Sequence, residues 1–192
     1  MKKLLFILFV QISFIASSQL LNPQALSISY YGESIAHPGL KIGLDYDLKN
    51  WQTDKTKKSS ESITKQKSLV LSPTLGFFTH KAYQTGLFIL PELKYCREKP
   101  NGNFFQTGIG LGYMRTFLPD VYRLNASGEV EKIGAGYNYI VGTLFATFGR
   151  KITQTNEKPL SVYIKPQLMY AVPNYAGGIF YFNLEIGLQF EL

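Results

Sequence analysis

Apolar and polar residues alternate along the last twelve positions of the chain, residues 181–192. Leu184, Ile186, Leu188 and Phe190 are apolar, and the residues between them are polar or glycine. A repeat of two places successive side chains on opposite faces of a β-strand. The pattern therefore predicts a strand with one apolar and one polar face at this end of the sequence.

Seven earlier segments show the same alternation. They cover residues 25–33, 40–48, 68–78, 82–97, 103–117, 135–150 and 160–172. In the second segment, Leu40 and Ile42 share one face while Lys41 and Asp45 share the other. Eight such strands predict an all-β fold, an antiparallel up-and-down transmembrane β-barrel of about eight strands.

The segments between and within these strands carry further predictions. Pro73, Pro91 and Pro166 fall inside predicted strands, and because proline cannot donate a ladder hydrogen bond, we expect bulges or bends there. Residues 50–66 are rich in Lys, Ser and Thr and predict a mobile loop. Residues 118–134 predict a hairpin that extends strands five and six. The two connections follow strands two and five, so we expect them at opposite ends of the barrel.

The N-terminus has the pattern of a secretory signal. Lys2 and Lys3 precede an apolar stretch at residues 4–15, and small residues follow at Ala16 and Ser18. We predict a signal peptide at residues 1–18, cleaved before Gln19, and an outer-membrane β-barrel domain at residues 19–192. The predicted location is the bacterial outer membrane.

Charge adds one expectation about partners. The formal net charge is +7, and many of the positive residues lie between Lys49 and Lys67. This charge favours either anionic lipid headgroups as partners or a solvated polar loop. The cations are not interleaved with a stacking platform, so nucleic acid is not an expected partner.

Charged residues of both signs occupy the polar faces of the predicted strands. Charges enclosed in a narrow barrel need partners, and we predict an interior ionic and hydrogen-bonded network. Its predicted members are Asp45, Asp47, Glu92, Lys94, Lys165 and Glu185. Ca²⁺ binding by the two aspartates is the alternative to their pairing with Lys41, Lys94 or Lys165.

Catalytic and metal-binding patterns are weak. Glu33, Ser34 and His37 lie close together in sequence, and His80 is the second histidine, but this spacing in a hairpin does not define a catalytic triad. We expect His80 to be exposed in a tight turn. Cys96 is the only cysteine. We therefore assign no catalytic residue, metal site or cofactor.

Two segments resemble an uncharacterised family of small outer-membrane β-barrel proteins of Bacteroidota, similar to OmpX- and OmpA-type barrels and to porin-family proteins. The first is HPGLKIGL within residues 32–48. The second is GIGLGYMRTF at residues 108–117, followed by Val121-Tyr122 and Gly128-Glu129-Val130. The resemblance implies a barrel fold and an outer-membrane location, and it brings no catalytic residues.

Three functional hypotheses remain open from the sequence. The favoured one is a non-enzymatic outer-membrane barrel with a structural, surface-recognition or limited small-solute role. Its expected partners are outer-membrane lipids, the barrel-assembly machinery and an extracellular ligand bound through residues 118–134. The second hypothesis is a lipid A- or phospholipid-modifying enzyme. The third is a soluble periplasmic barrel binding an apolar ligand, which requires Leu184, Ile186 and Leu188 to point inward.

Overall fold

The computed structural model describes residues 22–33, 37–56, 62–81, 83–125, 127–152, 159–173 and 177–192. The predicted signal peptide at residues 1–18 lies outside these described residues. The described part of the chain forms nine β-strands, and none of it forms a helix long and apolar enough to span a membrane. The strands are β1 (Ala25–Glu33), β2 (His37–Thr56), β3 (Ser62–His80), β4 (Gln84–Glu98), β5 (Asn103–Leu124), β6 (Val130–Ala135), β7 (Asn138–Lys151), β8 (Leu160–Val172) and β9 (Ile179–Glu191).

Eight of these strands close into an antiparallel ring. The order β4-β3-β2-β1-β9-β8-β7-β5 is completed by pairing of β4 with β5. The first and last strands meet along a seam that runs from the pair Ala25 and Glu191 to the pair Glu33 and Asn183. The ninth strand, β6, pairs with the outer part of β5 and forms a hairpin beyond the ring. The predicted eight-stranded antiparallel barrel is therefore confirmed.

The strands of the ring are tilted, as the register shows. We trace the ring by going from each residue to its partner on the next strand. Starting at Glu33 on β1, this path passes through β9, β8, β7, β5, β4 and β3 and ends at Asp47 on β2. Asp47 lies two residues beyond Asp45, the partner of Ala25. The register thus advances by about ten residues per circuit, which corresponds to a strand tilt of roughly 40°.

The interior of the ring holds all the buried charged side chains of the described residues together with an apolar cluster, and the outer face is mostly aliphatic or aromatic. On β2, Lys41 and Asp45 are buried in the interior, whereas Leu40 and Ile42 are exposed. On β9, Glu185 is buried, and Ile186 and Leu188 are exposed. The predicted faces of both strands are confirmed. The soluble-barrel hypothesis required the apolar residues of β9 to point inward, and this requirement is not met.

The connection between β2 and β3 differs from its expectation. Residues 50–56 and 62–66 were expected in a mobile loop, but they continue β2 and β3, and residues 50–56 pair with residues 62–68. Backbone hydrogen bonds between strands do not depend on apolar side chains, so polar composition did not exclude a strand. Residues 57–61 lie outside the described part.

The strand prolines do not produce bulges. Pro73 lies directly opposite Pro91, and the β3–β4 register runs through them without a shift. Between β7 and β8, the pairs on either side of Pro166 keep the same register. The described register shifts instead between Asp47 and Lys49 on β2, and at the base of the β5–β6 hairpin. A proline on the outer face therefore omits one hydrogen bond between the strands but does not insert an extra residue, so no bulge forms.

Inward glycines on β5 make room for larger side chains from other strands. A Cβ on Gly108 would lie 2.7 Å from the ring of Phe145, and one on Gly110 would lie 2.6 Å from Thr143 Oγ1. The absent side chains let the interior of an eight-stranded ring hold aromatic and charged groups.

Candidate functional site

Four charged side chains meet at the centre of the barrel interior. Lys41 Nζ lies 2.6 Å from Glu92 Oε1 and 3.0 Å from Glu185 Oε2. Lys165 Nζ lies 2.7 Å from Glu92 Oε2 and 3.4 Å from Glu185 Oε2. All four side chains are almost fully buried. They come from β2, β4, β8 and β9. The pair of Lys165 with Glu92 crosses the lumen, the pair of Lys165 with Glu185 joins neighbouring strands, and two lysines balance two glutamates.

Neutral groups complete the coordination of this cluster. Ser29 Oγ and Tyr163 OH both donate hydrogen bonds to Glu185 Oε1, at 2.9 and 2.8 Å. Lys165 Nζ lies 4.0 Å from the centroid of the Phe145 ring. The interior beside the cluster leaves a cavity of only about 10 Å³, which is at most the size of one water molecule.

A second ion pair lies on the side of the cluster that faces the chain termini. Lys94 Nζ lies 2.9 Å from Asp45 Oδ1. Ser72 Oγ donates to the same oxygen at 2.5 Å, and Gln189 Nε2 donates to Asp45 Oδ2 at 3.0 Å. Asp47 is only partly buried and accepts instead from Asn50 Nδ2 at 2.9 Å.

The structure therefore brings most of the predicted interior residues together. The aspartates were expected to pair with Lys41, Lys94 or Lys165. Asp45 pairs with Lys94, whereas Lys41 and Lys165 contact the two glutamates.

Ser29 and Tyr163 were not anticipated as partners. Their inward positions follow from alternation. Their contacts with Glu185 are diagonal contacts between adjacent strands, and these depend on the strand register, which alternation within one strand does not define.

Beyond the charged cluster, toward the β5–β6 hairpin, the lumen is filled by apolar and aromatic side chains. Tyr31, Phe88 and Leu90 are at most 1% exposed. The Tyr31 and Phe88 rings have centroids 5.0 Å apart. Further members of this apolar plug are Phe78, Met114, Tyr139, Val141, Met169, Ala171 and Tyr181. The plug closes this end of the interior.

The opposite end of the interior opens into a polar cavity of about 290 Å³. Cys96, Gln106 and Ser161 line it. At its mouth, Lys151 Nζ lies 2.9 Å from both Glu98 Oε1 and Glu191 Oε1. The interior is therefore open at this end and filled at its centre, so it does not form a continuous channel.

The two histidines lie next to each other at the rim near the plug. The His37 and His80 rings have centroids 3.6 Å apart, and Tyr83 stacks edge-on against His80 at 4.3 Å. His80 was expected to be exposed, but it is partly buried by these rings. Ser34, the third candidate of the weak triad pattern, lies outside the described residues. Within the described ranges, no three His, Cys, Asp or Glu residues form a group able to hold a metal ion.

Comparisons with known proteins add little to this geometry. No protein-family model matches the chain, and no curated protein matches it either. Among solved structures, the chain is similar to the β domain of the Bordetella autotransporter BrkA, with a TM-score of 0.40 and 14% identity over 88% of this chain and 68% of that one. The architecture is therefore described from the strands of this chain alone.

Proposed function

We propose that this protein is an integral β-barrel of the bacterial outer membrane with a non-enzymatic role. The observation that carries the proposal is a distribution of side chains opposite to that of a soluble protein, with apolar groups outside and charged groups inside. Outward Leu111 and Ile109 are 69% and 60% exposed, whereas inward Glu92 is fully buried. A closed ring with an apolar exterior and charged groups in its interior is suited to lipid, because every strand of the ring is paired on both sides and leaves no open sheet edge there.

The signal pattern at residues 1–18 supports export, the first step toward this location. The outward apolar side chains also support the membrane over a soluble existence. Soluble proteins rarely expose a continuous apolar surface around their whole circumference, and here such residues occur on every strand of the ring.

The filled interior favours a structural or recognition role over passage of solutes. The four-charge cluster and the apolar plug leave no opening wider than about one water molecule beside the cluster. In an eight-stranded barrel the interior is typically just filled by side chains. Solute transport is therefore not part of the proposed function.

The β5–β6 hairpin is the proposed recognition element. Its tip is ordered by Asn125, whose Oδ1 accepts hydrogen bonds from the backbone nitrogens of Ser127 and Glu129 at 3.0 and 2.9 Å. Gly128 adopts the left-handed conformation, with φ of 82°. On its strands, Asp120 pairs with Lys132 at 3.0 Å and raises the pKa of that lysine. The hairpin presents a defined surface of charged and apolar side chains outside the ring.

Membrane fractionation with an unboiled detergent gel tests the location. We expect recovery in the outer membrane and a mobility shift on boiling. Labelling of Ser127→Cys in a Cys96→Ser background by an impermeant thiol reagent on intact cells tests exposure of the hairpin, with Cys96→Ser alone as the control. Recovery in the soluble periplasm without a mobility shift refutes the membrane proposal.

The rim histidines give a second candidate function, the lipid-modifying enzyme. The single observation in its favour is the contact between His37 and His80, because an imidazole at a lipid-facing rim can act as a general base. Hydrolysis of phospholipid or lipid A that is lost in both His37→Ala and His80→Ala would support it. No hydrolysis by the folded wild-type protein would exclude it.

A further inference from the structure

Four cationic side chains lie on the outward face of the barrel at the end opposite the β5–β6 hairpin. They are Lys49 on β2, Lys67 on β3, Arg97 on β4 and Arg150 on β7. We call them the cationic arc. Arg97 and Arg150 follow the outward alternation of their strands, since Arg97 lies opposite Phe105 and Arg150 lies two residues beyond exposed Phe148. Lys67 is two residues from Leu69 on the same face of β3, and Lys49 faces outward because the register shift after Asp47 places it opposite Leu69.

The arc occupies one axial level on one side of the ring. With about 3.3 Å per residue and the tilt given by the register, the four Cα positions fall within roughly 5 Å of one another along the barrel axis. The described outward side chains at this end include no carboxylate. On the other side, β8, β9 and β1 present Val162, Phe190 and Leu26 at this end instead.

Two cations of the arc face each other without a counterion. Lys67 is directly opposite Arg97 in the β3–β4 register, an arrangement of like charges that destabilises a sheet. Neither residue forms an ion pair within the described chain. Arg97 Nε is also buried without a hydrogen-bond partner. An anion held between the two side chains would relieve the repulsion and satisfy this donor.

Aromatic and then aliphatic side chains continue from the arc toward the middle of the barrel. Tyr95 and Phe105 lie just above Arg97, and the Phe105 and Phe148 rings have centroids 5.2 Å apart. Exposed Leu93 and Ile109 follow. The surface thus changes from cationic to aromatic to aliphatic over a short distance, which matches a phosphate headgroup with acyl chains attached.

We propose that the cationic arc binds the headgroup of an anionic glycerophospholipid, with its phosphate between Lys67 and Arg97. This inference rests on the proposed membrane location. It commits to a glycerophospholipid rather than lipid A, because an exposed β5–β6 hairpin places the arc at the opposite, periplasmic leaflet. Arg97 supplies fixed planar donors for the phosphate oxygens, and Lys67 supplies a mobile charge.

The test compares binding of phosphatidylglycerol and phosphatidylcholine to the detergent-solubilised full-length protein by native mass spectrometry. We expect the wild type to prefer phosphatidylglycerol. Near a membrane surface, one Lys or Arg contributes about a fivefold preference for anionic lipid. In the double variant Lys67→Gln with Arg97→Gln, the preference for phosphatidylglycerol over phosphatidylcholine should therefore be about 25-fold lower than in the wild type. Lys132→Gln on the hairpin removes a cation at the other end and should leave the preference unchanged.

The outcomes separate this site from the membrane proposal. A folded, heat-modifiable protein that enters vesicles but shows no preference for phosphatidylglycerol refutes lipid binding at the cationic arc and leaves the membrane location standing. The same holds if Lys132→Gln loses as much of the preference as the double variant. Failure of the wild type to enter vesicles of either lipid overturns the membrane location. Displacement of bound lipid by an equal concentration of inorganic phosphate would show a free-phosphate site and refute the lipid assignment. If the double variant does not fold, Lys49→Gln with Arg150→Gln should show the same direction of loss.

Discussion

Replacement of Glu185 by glutamine should strongly destabilise the barrel. The carboxylate lies 3.0 Å from Lys41 Nζ and 3.4 Å from Lys165 Nζ, and it accepts hydrogen bonds from Ser29 and Tyr163. Glutamine keeps the shape but removes the charge, so two buried lysines then face one glutamate. Breaking a buried ion pair in this way costs about 3–5 kcal/mol. We expect the free energy of unfolding to fall by that amount.

The assay is urea unfolding of the protein in lipid vesicles, with the folded fraction read from the heat-modifiable gel band. Asp120→Asn breaks the exposed pair with Lys132 and is the control, with an expected loss below about 1 kcal/mol. Adding Lys165→Gln to Glu185→Gln restores neutrality and should recover about 1–3 kcal/mol relative to the sum of the single losses. A loss below about 1 kcal/mol in Glu185→Gln, or strict additivity in the double variant, would refute the described role of the cluster.

Four other measurements follow from the interior. Gly187→Ala should lower stability, because its Cβ would lie 2.6 Å from the Tyr163 ring; unchanged urea midpoints would contradict this. Phe88→Ala should cost about 3–5 kcal/mol by leaving a cavity in the plug, and an unaltered unfolding curve would show that the plug is not packed. Planar-bilayer recordings of the wild type should show no steady conductance, whereas open-channel currents would disprove the closed lumen. Cys96 lines the polar cavity, so a small methanethiosulfonate reagent should modify it faster than a bulky maleimide, and equal rates would argue against its enclosed position.

The sequence predicted the faces of the strands better than the contacts between them. Alternation separated Glu185 from Ile186, because a strand fixes which residues share a face. The interpretation as a membrane barrel then placed the polar face, with Lys41 and Glu185, inside. Whether Lys41 meets an aspartate or a glutamate depends on the tilt of the whole ring, which only the register of all eight strands defines. The prediction of a mobile loop from polar composition was wrong at residues 50–56. These residues continue β2, because the hydrogen bonds between strands are made by the backbone and do not require apolar side chains.

The charged cluster also constrains the order in which the chain can fold. Neighbouring hairpins of the ring can form one after another, but the hydrogen bond from Ser29 to Glu185 joins residues 156 positions apart. It can form only once the first and last strands have met. Before that seam closes, Glu185 would face lipid or water without its partner from β1. Closure of the seam therefore completes the network around Glu185, and a half-assembled barrel would remain polar on its open side until its two ends are joined.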